Sequence, residues 1–413
     1  MPRSPPQGES LALRLSPVYG RVVISGRSVT AQALLGMTVA MGIGRFAYTP
    51  LMPLMMADGV LTREQGAMVA TANYLGYLIG AVVLTLWPQL NTRFTYRVWT
   101  IILVLSELLM VPLDGMAGWT TMRFLAGYAS AVLFIGIAST LGAYSGKGAS
   151  AGMAFGGVGI GIALMGGFSL LLAEHLTWQQ MWLGTAGISV LLAIGPWLLP
   201  VEAESSPERR GSGKRRLPRP MRLIWQLLFA AYFLEGLGYI IIGTFIVAAV
   251  GTGTGPSAAV WVVAGLAAIP ATVLYGRLAQ RVPMSIVLVG AYLLQTIGAL
   301  LPVVVDATWA SFVCAALYGG TFLGIAMLTT SQGRRLPVER AAAALTAGYS
   351  IGQVLGPIVV TPVIGRSYGT AFLVAAVVIA AGGLLMTAVA VLIARHGEGD
   401  GAPGVSAVSP VRG

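Results

Sequence analysis

Apolar stretches recur from about residue 28 to residue 394, each closed by a short polar connection. A helix rising 1.5 Å per residue needs about 20 apolar residues to cross a hydrocarbon core about 30 Å thick. On that ruler the pattern predicts twelve membrane-crossing helices, over approximately 28–56, 65–88, 97–114, 117–143, 150–174, 178–199, 222–250, 256–276, 284–304, 307–331, 341–364 and 368–394. The first run is too long for the apolar region of a signal peptide and no small-x-small cleavage site follows it, so it reads as a retained helix. Gly42, Gly44, Pro50 and Pro53 inside it predict that this helix is not straight.

The longest polar interruption, Val201 to Met221, divides the runs into two sets of six. The expected organisation is an N-terminal tail over 1–27, a bundle over 28–199, a linker over 200–221, a second bundle over 222–394 and a disordered tail over 395–413. The two sets echo each other. "GIGRFAYT" from Gly42 corresponds to "GLGYIIIGT" from Gly236 at an offset of 194, and "GGVGIG" from Gly156 to "GQVLGP" from Gly352 at about the same offset. Parallel six-helix repeats place a transport site at the repeat interface, near mid-membrane.

Composition sharpens this picture. Of 413 residues, 25 are Lys or Arg and 14 are Asp or Glu, so 9% carry charge, against roughly 25% in a soluble domain. A soluble enzyme is excluded. The net charge of +11 does not indicate nucleic acid, because the basic residues sit in the connections between apolar runs. With the N-terminus in the cytoplasm, 21 of the 25 fall on the inside and Arg63 and Arg366 alone on the outside, which predicts that both termini are cytoplasmic. Cys314 is the single cysteine, and His175 and His396 are far apart, so no disulfide, metal site or cofactor is expected. "LGAYSGKG" at Leu141 lacks the spacing and the hydroxyl residue of a P-loop, leaving an ion gradient, the substrate's own gradient or a separate subunit as the energy source.

Four segments, "MGIGRFAYTPLMPLM" from Met41, "ANYLGYLIGA" from Ala72, "FGGVGIGIAL" from Phe155 and "YFLEGLGYIIIGTF" from Tyr232, resemble the major facilitator superfamily. Within it the similarity is to YbfB/YjiJ-type transporters, from about residue 30 to 394. The superfamily's fourth-helix pattern, an Arg followed four residues later by a Gly, resembles Arg123 to Gly127. Its loop pattern survives in part as "GRLAQR", with Arg277 and Arg281 as implied gating residues and Gln280 where Asp is usual. The resemblance implies an all-α integral membrane fold of two pseudo-symmetric bundles, with helices one, four, seven and ten lining a central cavity. It also implies a secondary transporter of the inner or plasma membrane.

Four charges fall inside apolar runs: Arg45, Glu107, Arg123 and Glu235. Each costs about +3 kcal/mol on insertion scales and needs a partner, a wet cavity or a function. Glu235 lies thirteen residues into its run, about 20 Å along the helix, and is the first choice for a proton-coupling group, with Arg123 as the second. Pairing of Glu235 with Arg45 to fix helices one and seven is the alternative. Arg45 is the expected anion-binding residue, since a permanently charged planar donor suits carboxylate or phosphate. Glu107 and Arg123 lie at similar depth and are expected to form a structural ion pair. Tyr48, Asn73, Tyr74, Tyr239, Thr244 and Gln353 are candidate pocket residues, or else interhelical hydrogen-bond glue. Gly157 and Gly161, and Gly352 and Gly356, carry the four-residue spacing of close-packed helices and are candidate gating positions.

The expected function is proton-coupled transport of a small molecule by alternating access, by a monomer in the lipid bilayer. The excess of positive charge slightly favours an organic anion. Export of amphipathic compounds and a non-transporting sensor are the alternatives.

Overall fold

The computed structural model describes residues 25–202, 218–251, 255–338, 340–365 and 367–397. Most of the expected tails and linker lies outside these residues. Among the described residues there is no β-strand.

The helices, in chain order, are α1 (Gly26–Ala57), α2 (Arg63–Leu86), α3 (Arg93–Leu108), α4 (Met116–Ala143), α5 (Ala151–Leu172) and α6 (Trp178–Ala193). They continue as α7 (Arg219–Val250), α8 (Gly255–Leu278), α9 (Met284–Val304), α10 (Thr308–Arg334), α11 (Ala341–Ile364) and α12 (Tyr368–Gly397). Hydroxyl residues start several of them. Thr62 and Thr177 form reciprocal capping boxes with Gln65 and Gln180, and Ser25, Thr92 and Ser150 accept from amides three residues on.

Ten of these helices are long and apolar enough to cross a membrane. α3 and α6 are the exceptions at 16 residues, or about 24 Å each. The third run was expected to 114, but its helix ends at Leu108 and the chain turns through 109–113. The sixth was expected to 199, but Gly195 and Pro196 end it in a short 3₁₀ turn, Pro196–Leu198. Outward faces are apolar, with Leu171, Leu384 and Val304 each more than 70% exposed, as lipid-facing side chains should be.

Helix pairing repeats with a shift of six. α1 packs on α5 as α7 does on α11, α2 on α4 as α8 on α10, and α3 on α4 as α9 on α10. Across the two sets, α5 packs on α8 and α2 on α11, which are exchanged by the same shift. The Thr49 hydroxyl donates to the Gly243 carbonyl at 2.8 Å, and 49 plus 194 is 243. Residues equivalent under the repeat touch only near the pseudo-two-fold axis, so the axis passes between α1 and α7 at this contact.

Glycines set the close approaches. A Cβ at Gly161 would collide with Gly42 and one at Gly157 with the Leu34 carbonyl, so this pair seats α5 on α1. Gly352 and Gly356 seat α11 on α7 in the same way. Both pairs therefore pack within one set of helices. Contact across the sets falls to Gly159 and Gly166, against Gly265 and Val262 of α8.

Candidate functional site

Arg45 lies where α1 stops being an α-helix. A π-helical stretch, Thr38–Ile43, gives way to a turn through 44–47 before the helix resumes at Tyr48. The Gly44 amide reaches back five residues to Val39 at 2.8 Å. Pro50 has no amide proton, and the Thr49 amide goes to Phe46 at 3.2 Å, leaving the Arg45 carbonyl without the partner four residues on that an α-helix supplies. Arg123 takes up this slack. From α4, its Nη2 donates to the carbonyls of Gly44 at 2.9 Å and Arg45 at 3.1 Å.

The expected ion pair between Glu107 and Arg123 is therefore not formed. Arg123 is committed to main-chain oxygens, flanked by the rings of Tyr48 and Trp182 at 5.6 Å each. Both Glu107 carboxyl oxygens are buried without a hydrogen-bond partner, beside the Ser189 hydroxyl. Asn73 also serves this junction, donating to the Arg123 carbonyl at 3.0 Å, and Gly127 leaves room for the Asn73 backbone. Tyr48 donates to the Gly66 carbonyl at 3.2 Å. The Tyr48 hydroxyl and the Asn73 amide nitrogen are thus spent on packing among α1, α2 and α4, while Asn73 Oδ1 is buried without a partner.

Arg45 projects towards the second set of helices. Its Nη2 donates to Gln353 Oε1 on α11, and its guanidinium sits 4.2 Å from the Tyr77 ring centre and 5.5 Å from that of Tyr74. Its Nε is buried without a partner. By the repeat offset, 45 plus 194, its equivalent on α7 is Tyr239, one of its neighbours. The Tyr74 and Thr244 hydroxyls meet at 2.8 Å, a further link between α2 and α7.

Glu235 is fully buried midway along α7. It does not pair with Arg45. Gln295 Nε2 on α9 reaches its Oε1 at a long 3.4 Å, while its Oε2 and Gln295 Oε1 have no partner. Tyr349 on α11 lies beside it and stacks on both Tyr232, at 4.3 Å between ring centres, and Tyr239, at 5.2 Å. Arg45, Gln353, Tyr74, Thr244 and Tyr239 are thus gathered where the two sets meet, with Glu235 beside Tyr239 inside the second set, none more than 4% exposed. Gln295, Tyr349 and Tyr318 were not anticipated. A lone amide in the ninth apolar run was the signal for Gln295, and a search confined to charges passes over it.

Arg277 and Arg281 are exposed around the connection from α8 to α9. At the end of the bundle where α1 finishes and α2 begins, Arg63 Nη1 donates to the carbonyls of Ile364 at 3.4 Å and Gly365 at 3.5 Å. Its guanidinium also lies 4.8 Å from the Tyr368 ring centre. These contacts bridge the two sets at that end, as the Thr272 hydroxyl, donating to the Gly152 carbonyl at 2.7 Å, bridges them at the other.

Comparison with known proteins adds three findings. A family model described as "Uncharacterised MFS-type transporter YbfB" matches residues 37–392. Among curated proteins none matches. A crystal structure of the nucleoside transporter NupG aligns with TM-score 0.65 at 14% identity, covering 89% of this chain and 98% of that one. A mutant of NupG aligns with TM-score 0.64 at 13% identity, covering 88% and 99%. At these identities the likeness is one of fold.

Proposed function

The chain belongs to the YbfB-type family of the major facilitator superfamily, and from that premise we propose that it is a proton-coupled secondary transporter of a small organic anion. It is a multi-pass membrane transporter and not an enzyme, with a small molecule as substrate. In this proposal it is a monomer of the inner membrane that crosses the bilayer twelve times, with both termini in the cytoplasm. The bundles over 28–199 and 222–394 rock about the axis between α1 and α7.

The observation that carries the reading is Arg45. A permanent charge, 3% exposed at the interface of the two sets, is held by the neutral oxygen of Gln353 and not by a carboxylate. A buried guanidinium with no counter-charge favours an incoming anion, which supplies stronger, charge-assisted hydrogen bonds than an amide does. Glu235, half satisfied beside Tyr349, is the proton carrier. An anion entering with a proton on Glu235 adds no net charge to the buried site, so coupling follows from the cost of uncompensated charge there. Tyr239, Tyr74 and Thr244 line the remaining wall. Arg123 acts indirectly, by holding the break in α1 that presents Arg45.

Flux in proteoliposomes tests this. Glu235→Gln is expected to keep anion binding and to lose accumulation driven by a pH gradient. Wild-type accumulation by that variant removes Glu235 from the coupling role.

A further inference from the structure

The rings beside Arg45 and Glu235 are arranged unlike most others in the protein. Tyr232 and Tyr349 lie 17° from parallel, Tyr349 and Tyr239 15°, Tyr239 and Phe322 11°, and Tyr318 and Phe322 13°. Ring centres in the last three pairs are 5.2 to 5.8 Å apart. These side chains come from α7, α10 and α11, so no single helix imposes the alignment. Elsewhere rings meet edge to face, as Tyr77 with Phe134 at 63°, Phe134 with Phe155 at 60° and Trp119 with Trp178 at 89°, or tilted, as Trp225 with Phe229 at 49° and Phe245 with Tyr368 at 34°; Phe46 meets Phe322 of the cluster edge-on at 74°. Among the described residues, Trp99 with Tyr128 is the one stacked pair outside this cluster. Aromatic packing alone admits both geometries, so a parallel set confined to one place is a feature of that place.

Several buried polar atoms without a hydrogen bond lie on these residues or on side chains next to them. Tyr318 Oη, Trp261 Nε1, Glu235 Oε2 and Gln295 Oε1 lack hydrogen bonds, and Arg45 Nε does too. Buried polar groups left open are costly, and an incoming ligand can relieve that cost.

Resting on the anion-transport reading, we propose that the substrate is a planar aromatic carboxylate. Its ring is taken among the parallel faces of Tyr239, Tyr349 and Phe322. Its carboxylate replaces the Gln353 oxygen on Arg45. A flat ring enters a parallel stack by separating two faces, whereas a puckered ring of the same size meets those faces only at scattered points.

The test compares benzoate with cyclohexanecarboxylate, which has the same charge and ring size but no π face. With wild-type protein in lipid nanodiscs, benzoate is expected to bind about 10-fold tighter, a typical effect of aromatic stacking. Tyr239→Leu should bring the two affinities within about twofold, and Tyr239→Phe should keep the preference. If Tyr239→Leu does not fold, Phe322→Leu is read in the same way. Arg45→Ala should lose both ligands. Equal binding of the two acids by wild type, or an unchanged ratio in the leucine variants, overturns the aromatic assignment alone. Binding of neither acid, or full binding by Arg45→Ala, overturns the anion reading beneath it.

Discussion

Gln353 keeps a guanidinium in place without neutralising it. Gln353→Glu would supply a resident carboxylate with the same reach. It is expected to raise the melting temperature and to weaken anion binding about 10- to 100-fold, the worth of a charge-assisted hydrogen bond. Unchanged affinity in a binding titration would mean that anions do not use Arg45. Arg45 and Glu235 were legible in the sequence because charges inside apolar runs are expensive and few. Tyr349 and Gln295 were not. Neutral aromatics and amides are ordinary in such helices, and only the neighbours that α7 brings to them, Glu235, Tyr232 and Tyr239, give them a role.

The break in α1 was legible from Gly42, Gly44, Pro50 and Pro53. Its partner was not, because a buried Arg123 calls for a carboxylate, whereas its Nη2 goes to the carbonyls of Gly44 and Arg45 and its Nε is left without a partner. This dependence is measurable as a coupling. Arg123→Gln and Pro50→Ala act on the same released backbone groups, so their effects on unfolding free energy should be non-additive by about 1 kcal/mol. Additivity within about 0.4 kcal/mol would show that Arg123 does not depend on the break. Small-residue spacing likewise marked packing faces correctly without naming their partners. Gly157 and Gly161 face α1 inside their own set, so Gly161→Val is expected to destabilise the protein by about 1–3 kcal/mol through overpacking, read as a lower melting temperature.

The offset of 194 between the two halves of the sequence reappears as a pseudo-two-fold axis at the Thr49–Gly243 contact. The repeat could be read along the chain, but which helices meet across it could not, since pairing of α2 with α11 and α5 with α8 depends on how both sets close together. With α2 and α11 bridged at the end that carries Arg63, a carrier working by alternating access must part them there once in every cycle. The most direct measurement joins Glu64→Cys and Gly365→Cys with a short bifunctional thiosulfonate and follows substrate flux in proteoliposomes. Cys314, fully buried, does not compete for the reagent. Rocking of the two sets about the Arg45 site predicts that cross-linking drops flux to the protein-free background and that reductant restores it. Undiminished flux through fully cross-linked protein would contradict that motion.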